Sequence, residues 1–88
     1  MQEPITPFWF KQRQLKCEPA GSDHLLRITG PNLGDAFIRI QQDENGRWQA
    51  AFRRTADGPD EAVSEPNIPG PREAWDAAFE LYRENVIV

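Results

Sequence analysis

Between residues 24 and 54 the chain places large apolar residues at every second position. In 24–30 (HLLRITG) Leu26 and Ile28 share one face, with Leu25, Arg27 and Thr29 on the other. In 36–42 (AFIRIQQ) Ile38 and Ile40 oppose Phe37, Arg39 and Gln41. In 47–54 (RWQAAFRR) Trp48, Ala50 and Phe52 oppose Arg47, Gln49 and Arg53. Alternation with period two marks strands buried on one face only.

Parity also fixes how the last two strands meet. A two- or four-residue loop sets Ile40 opposite Gln49 and mixes the faces. A three-residue loop, Glu44-Asn45-Gly46, sets Ile38 opposite Phe52 and Ile40 opposite Ala50. Such a loop needs a left-handed residue at its third position, where Gly46 stands. The same register brings Asp43 to Arg47, Gln41 to Gln49 and Phe37 to Arg53, each mildly favourable at roughly 0.2–1 kcal/mol.

Two flanking segments carry weaker alternation. EAVSE (61–65) predicts a short strand with Val63 inward and Glu61 and Glu65 outward. FWFKQRQLKC (8–17) predicts a first strand, its phase change between Phe8/Phe10 and Leu15/Cys17 absorbed by a bulge. In EPNIPGP (65–71) three prolines remove backbone donors, so neither helix nor central strand continues through it.

After the prolines the period lengthens. Trp75, Ala78, Phe79 and Tyr82 fall at i, i+3, i+4 and i+7, widened by Ala74 and Leu81. Arg72, Glu73, Asp76, Glu80, Arg83 and Glu84 take the opposite side. Pro71 suits the first helical position and Glu73 the positive end of the dipole. The prediction is one domain over 1–88: antiparallel sheet over 8–65, proline-rich connection over 66–70, helix over 71–85, apolar tail over 86–88. It belongs to the α+β class: a two-layer fold in which an antiparallel meander of three to five strands is packed on one face by a single C-terminal helix.

Composition narrows the function. With 27% charged and 39% apolar residues, the chain reads as globular. No apolar run approaches the roughly 18 residues of a membrane span. The start lacks a basic stretch followed by a continuous apolar segment, so the cytoplasm is the expected location. Cys17 and His24 are the only cysteine and histidine, which leaves no internal disulfide and no cysteine-rich metal site. They flank a turn, and as a nucleophile pair they are outweighed by a half-buried thiol and a surface imidazole. With no phosphate loop, metal motif or Ser-His-Asp arrangement, no enzyme, cofactor or small-molecule substrate is expected.

The net charge of −4 is unevenly distributed: residues 1–56 hold eight Lys/Arg against six Asp/Glu, and residues 57–88 hold two against eight. Arg27, Phe37, Arg39, Gln41, Arg47, Gln49 and Arg53 together form a candidate binding face, since arginine suits phosphate and guanine edges and glutamine can read adenine. In its Gly46-Arg47-Trp48 turn, its alternation through Arg53 and its Glu73-Ala74 helix start, the chain resembles two related groups of domains. These are the plant ethylene-response transcription factors and the arm-binding domains of phage-type integrases. The resemblance covers about half the chain. It implies a sheet inserted in the DNA major groove, with Arg39, Arg47 and Arg53 at reading positions. The third strand, DEAVSE, departs from that pattern by carrying carboxylates.

Against nucleic acid stand the overall negative charge and the prospect that Glu61, Glu65 and Asp43 pair with Arg47 or Arg53. The expected function is therefore a protein-interaction module, with nucleic-acid binding as the alternative. Self-association through Trp9, Val86, Ile87 and Val88 is its simplest form. A further alternative is an acidic decoy, with Glu73, Asp76, Glu80 and Glu84 meeting a basic partner.

Overall fold

The central hairpin turns where its glycine allows. In the computed structural model, which describes residues 6–21, 24–31 and 33–87, Gly46 has φ +81°, a conformation open to glycine at no Cβ cost. Its N–H donates to the Asp43 carbonyl at 3.1 Å, and the Asp43 N–H donates to the Arg47 carbonyl at 2.7 Å. The Asp43 carboxylate accepts the backbone N–H groups of Asn45 and Arg47 at 2.8 and 2.9 Å. Asp43 and Arg47 thus meet through the backbone and the carboxylate, without the guanidinium. From this turn the ladder pairs Gln41 with Gln49, Ile40 with Ala50, Ile38 with Phe52 and Phe37 with Arg53, the register that the three-residue loop requires.

The chain runs α1 (Phe8–Gln12), β1 (Lys16–Pro19), β2 (Leu25–Gly30), β3 (Leu33–Gln42), β4 (Trp48–Arg53), β5 (Ala62–Val63) and α2 (Pro71–Tyr82), followed by a wider π-type turn over Arg83–Ile87. The five strands form one antiparallel sheet in chain order, and α2 packs across β3 and β4. This is the two-layer α+β meander that the alternation predicts. Leu26, Ile28, Ile38, Ile40, Ala50 and Phe52 from the sheet meet Trp75, Ala78, Phe79 and Tyr82 from α2 in one buried cluster. Burying each large apolar side chain contributes about 1.5–3 kcal/mol, so this seam is the main source of stability.

Three expectations need correction. Residues 8–12 are a short helix, and only the end of the 8–17 segment is strand. Pro7 starts the turn, the Phe10 N–H donates to the Pro7 carbonyl at 3.1 Å, and the Leu15 N–H donates to the Phe10 carbonyl at 3.1 Å. This reversal, with Gln14 at φ +59°, turns both Phe10 and Leu15 into the core, so no bulge is needed to resolve their phase. Phe10 stands edge-on to Phe79, with ring centroids 5.3 Å apart.

Val63 points outward, 55% exposed. The Glu61 N–H donates to the Phe52 carbonyl at 2.8 Å and the Ser64 N–H to the Ala50 carbonyl at 2.9 Å, and these bonds set a register pairing Phe52 with Ala62 and Ala51 with Val63. The inward place beside Phe52 goes to the smaller side chain. Finally, α2 keeps regular geometry only to Tyr82. Beyond it the Asn85 side-chain amide donates to the Leu81 carbonyl at 2.8 Å, and Val86 and Ile87 lie half-buried against the core. Val88 lies outside the described residues.

Candidate functional site

The sheet does gather the seven candidate binding residues on the face away from α2, but most are already engaged there. On this face the register places Arg39 between Leu25 and Ala51, and Phe37 between Arg27 and Arg53. Leu25, Phe37 and Ala51 are buried although α2 lies on the other side, as expected when the alkyl stems of neighbouring arginines lie over them. Phe37 is therefore a packing residue with little surface to offer a ligand.

Asp60 is the residue that organises this face. Its carboxylate accepts Arg39 Nε at 3.2 Å and Arg39 NH2 at 2.6 Å, and Arg53 Nε at 2.6 Å. All three side chains are only 22–23% exposed. Hydrogen bonding from Arg39, then from Arg53, holds the Asp60 carboxyl below the usual carboxylate range against the opposing effect of burial. Arg39 also donates to the Gln41 side chain at 2.6 Å, and Arg53 to the Ala56 carbonyl at 3.2 Å. Arg27 is paired with Glu18 on β1, and the Gln49 amide donates to the Ser64 carbonyl at 2.8 Å.

Of the four candidate arginines, Arg47 has a guanidinium that makes no ion pair or hydrogen bond among the described residues. The carboxylate that neutralises Arg53 is Asp60, in place of the expected Glu61 or Glu65, and Glu61 instead lies 3.6 Å from Arg54. The loop after β4 folds back over the sheet because Asp60 gains two cations by doing so. Neither the alternation nor any motif singles out Asp60 in the sequence. The usable signal was the placement of Arg39 and Arg53 on adjacent strands of one face, with acidic residues a few positions downstream.

The opposite side of the molecule carries a different surface. Thr6, Pro7 and Trp9 face Asp76, Phe79 and Glu80 of α2 across a groove of about 310 Å³. Trp9 supplies its aromatic surface, since the Phe79 side chain is fully buried beneath it, and its rim is acidic. Trp9 is half-buried, with its ring 5.9 Å from that of Phe10, and its neighbour Phe8 is 79% exposed. The Glu80 carboxylate takes Arg83 Nε at 2.9 Å and NH2 at 3.0 Å, which holds its carboxyl below the usual range. Asp76 makes no ion pair among the described residues.

The sheet edges offer less. The Ala20 N–H donates to the Leu25 carbonyl at 3.0 Å, so by antiparallel alternation Lys16 and Glu18 also direct their backbone groups to β2. Cys17 and Pro19 then direct theirs to the open edge, where proline has no donor, and the edge is blunted for strand addition. At the other edge β5 has two residues. Of the residues assigned to self-association, Trp9 lines the groove, and Val86 and Ile87 lean on the core.

Cys17 and His24 do not form a reactive pair. Cys17 is opposite Ile28, four residues along β2 from His24, a separation of about 13 Å at strand rise. His24 instead stands edge-on to Trp48, with ring centroids 5.3 Å apart. Among the described residues no three His, Cys, Asp or Glu side chains cluster to hold a metal ion, and no helix is long and apolar enough to cross a membrane. Set against protein-family models, curated proteins and solved structures, the chain finds no match in any of the three.

Proposed function

We propose that this domain is a non-enzymatic protein-interaction module whose contact surface is the helical side, centred on the groove between α1 and α2. The carrying observation is that groove, walled by Pro7 and the half-buried Trp9 and rimmed by Asp76 and Glu80. Protein contact sites combine aromatic anchors with a polar rim in this way. Phe8, next in the chain to two residues of the groove, is 79% exposed.

The arginine face supports nucleic-acid binding less well. Phosphate binding draws its strength from releasing counterions at uncompensated cations. Arg27, Arg39 and Arg53 are compensated by Glu18 and Asp60, and the chain carries −4 overall.

A photoreactive benzoyl-phenylalanine placed at position 8, and separately at position 47, tests this reading in the native cells. Adducts with another protein are expected from position 8 and not from position 47. Adducts from 47 alone, or from neither, would overturn the assignment of the helical side.

A further inference from the structure

We infer that the groove between α1 and α2 receives a lysine or arginine side chain, flanked by apolar residues, from a basic segment of another protein. This rests on the reading of the groove as the contact surface and adds the chemistry of its occupant. At about 310 Å³ the groove lies at the small end of ligand pockets, a size suited to one or two side chains. Its apolar walls and acidic mouth match the anatomy of a long basic side chain, which has an alkyl stem and a charged tip.

Three features favour a cation at the mouth. Asp76 makes no ion pair among the described residues, whereas Glu80, one turn further along, is held by Arg83. An incoming cation therefore finds one uncompensated carboxylate beside one already committed. The half-buried indole of Trp9 lies on the same groove and presents the ring most favourable to a cation. Finally, Glu73 and Glu84 extend the acidic surface along the exposed side of α2 and its following turn, so basic residues flanking the anchor also meet complementary charge. An acidic peptide or a phosphate backbone would meet like charge there. The half-buried Trp9 ring and Pro7 explain why the anchor should have apolar neighbours, which charge alone would not require.

The test is an NMR titration of the 15N-labelled chain with three short peptides in identical glycine–serine flanks, carrying Leu-Lys-Leu, Leu-Glu-Leu or Ser-Lys-Ser, each to about 5 mM to detect weak binding. Leu-Lys-Leu is expected to move the Trp9 indole N–H and the Asp76, Phe79 and Glu80 amides, with the other two peptides moving them far less. Asp76→Asn, at an exposed position, should weaken Leu-Lys-Leu roughly threefold to fivefold with the rest of the spectrum unchanged, and Asp57→Asn should leave the affinity as it was. If Leu-Glu-Leu moves the same groove resonances equally, the basic anchor is wrong while the groove remains a contact surface. If Ser-Lys-Ser matches Leu-Lys-Leu, the apolar flanks are wrong. If no peptide moves the groove, or the shifts fall on the sheet face, both the anchor and the groove are wrong. Groove shifts that depend on protein concentration without peptide would show that a second copy occupies it, and would overturn the inference.

Discussion

Replacing Asp60 with asparagine should cost more than an ordinary surface substitution. The change keeps the side-chain volume and removes the charge that faces two guanidiniums. An exposed ion pair is worth about 0–1 kcal/mol, and breaking a fully buried one costs about 3–5 kcal/mol. Asp60, Arg39 and Arg53, at 22–23% exposed, lie between those limits. Because one carboxylate serves two cations through three contacts of 2.6–3.2 Å, the loss should be about 2–3 kcal/mol. That is a substantial part of the roughly 5–15 kcal/mol typical of a domain.

With a urea m-value near 1 kcal/mol per molar for a chain of this size, the midpoint should fall by about 2–3 M at pH 7, read by circular dichroism. The pH dependence follows from linkage. The folded-state pKa of Asp60 is depressed below its usual 3.8, so its contribution is present above that value and is lost as pH falls through the depressed one. The gap between wild type and Asp60→Asn should therefore narrow below pH 3.8. A loss under about 0.5 kcal/mol at pH 7, within the range of ordinary surface changes, or a gap that persists in acid, would refute the assignment of Asp60 as the clasp of this face.

Gly46→Ala should lower stability by about 1 kcal/mol, because an L-residue at φ +81° meets the left-handed penalty; an unchanged urea midpoint would contradict the turn geometry. Tyr82→Phe should be neutral or stabilising at pH 7, since the Tyr82 hydroxyl is buried without a hydrogen-bond partner among the described residues and its removal relieves a desolvated group. Burial also raises the Tyr82 pKa above its usual 10.0. Its contribution is therefore fully present below pH 10 and is lost as pH rises through the raised value, so Tyr82→Phe should resist alkaline unfolding better than wild type. Equal urea midpoints at pH 11 would count against that. Phe8→Ser, at a side chain 79% exposed, should change stability by less than about 0.5 kcal/mol, and a larger loss would mean that Phe8 packs into the fold.

The parts of the fold legible in the sequence are those where one rule admits one answer. Parity and Gly46 together leave a single register for β3 and β4, and the Trp75–Tyr82 spacing leaves a single buried stripe for α2. Residues 8–12 escape because a five-residue helix is too short to display its period. Phe8 and Phe10 then read as a strand, although one is exposed and the other buried. Val63 escapes because no tight turn ties β5 to β4, and its phase is set by two backbone bonds, from the Glu61 N–H to the Phe52 carbonyl and from the Ser64 N–H to the Ala50 carbonyl. Asp60 and the groove arise where irregular segments fold back onto regular ones. Alternation placed the arginines correctly on one face, yet it carries no information about which loop carboxylate closes over them.

Asp60 satisfies Arg39 and Arg53 within the chain, which leaves contact to the other side of the molecule. The side-chain Nε–H resonances of Arg39 and Arg53 report on this most directly, during a titration with duplex DNA at about 50 mM salt, where phosphate attraction is strongest. Both resonances should stay in place, fixed by Asp60. Movement of either resonance with added DNA, reversed by raising the salt, would contradict this.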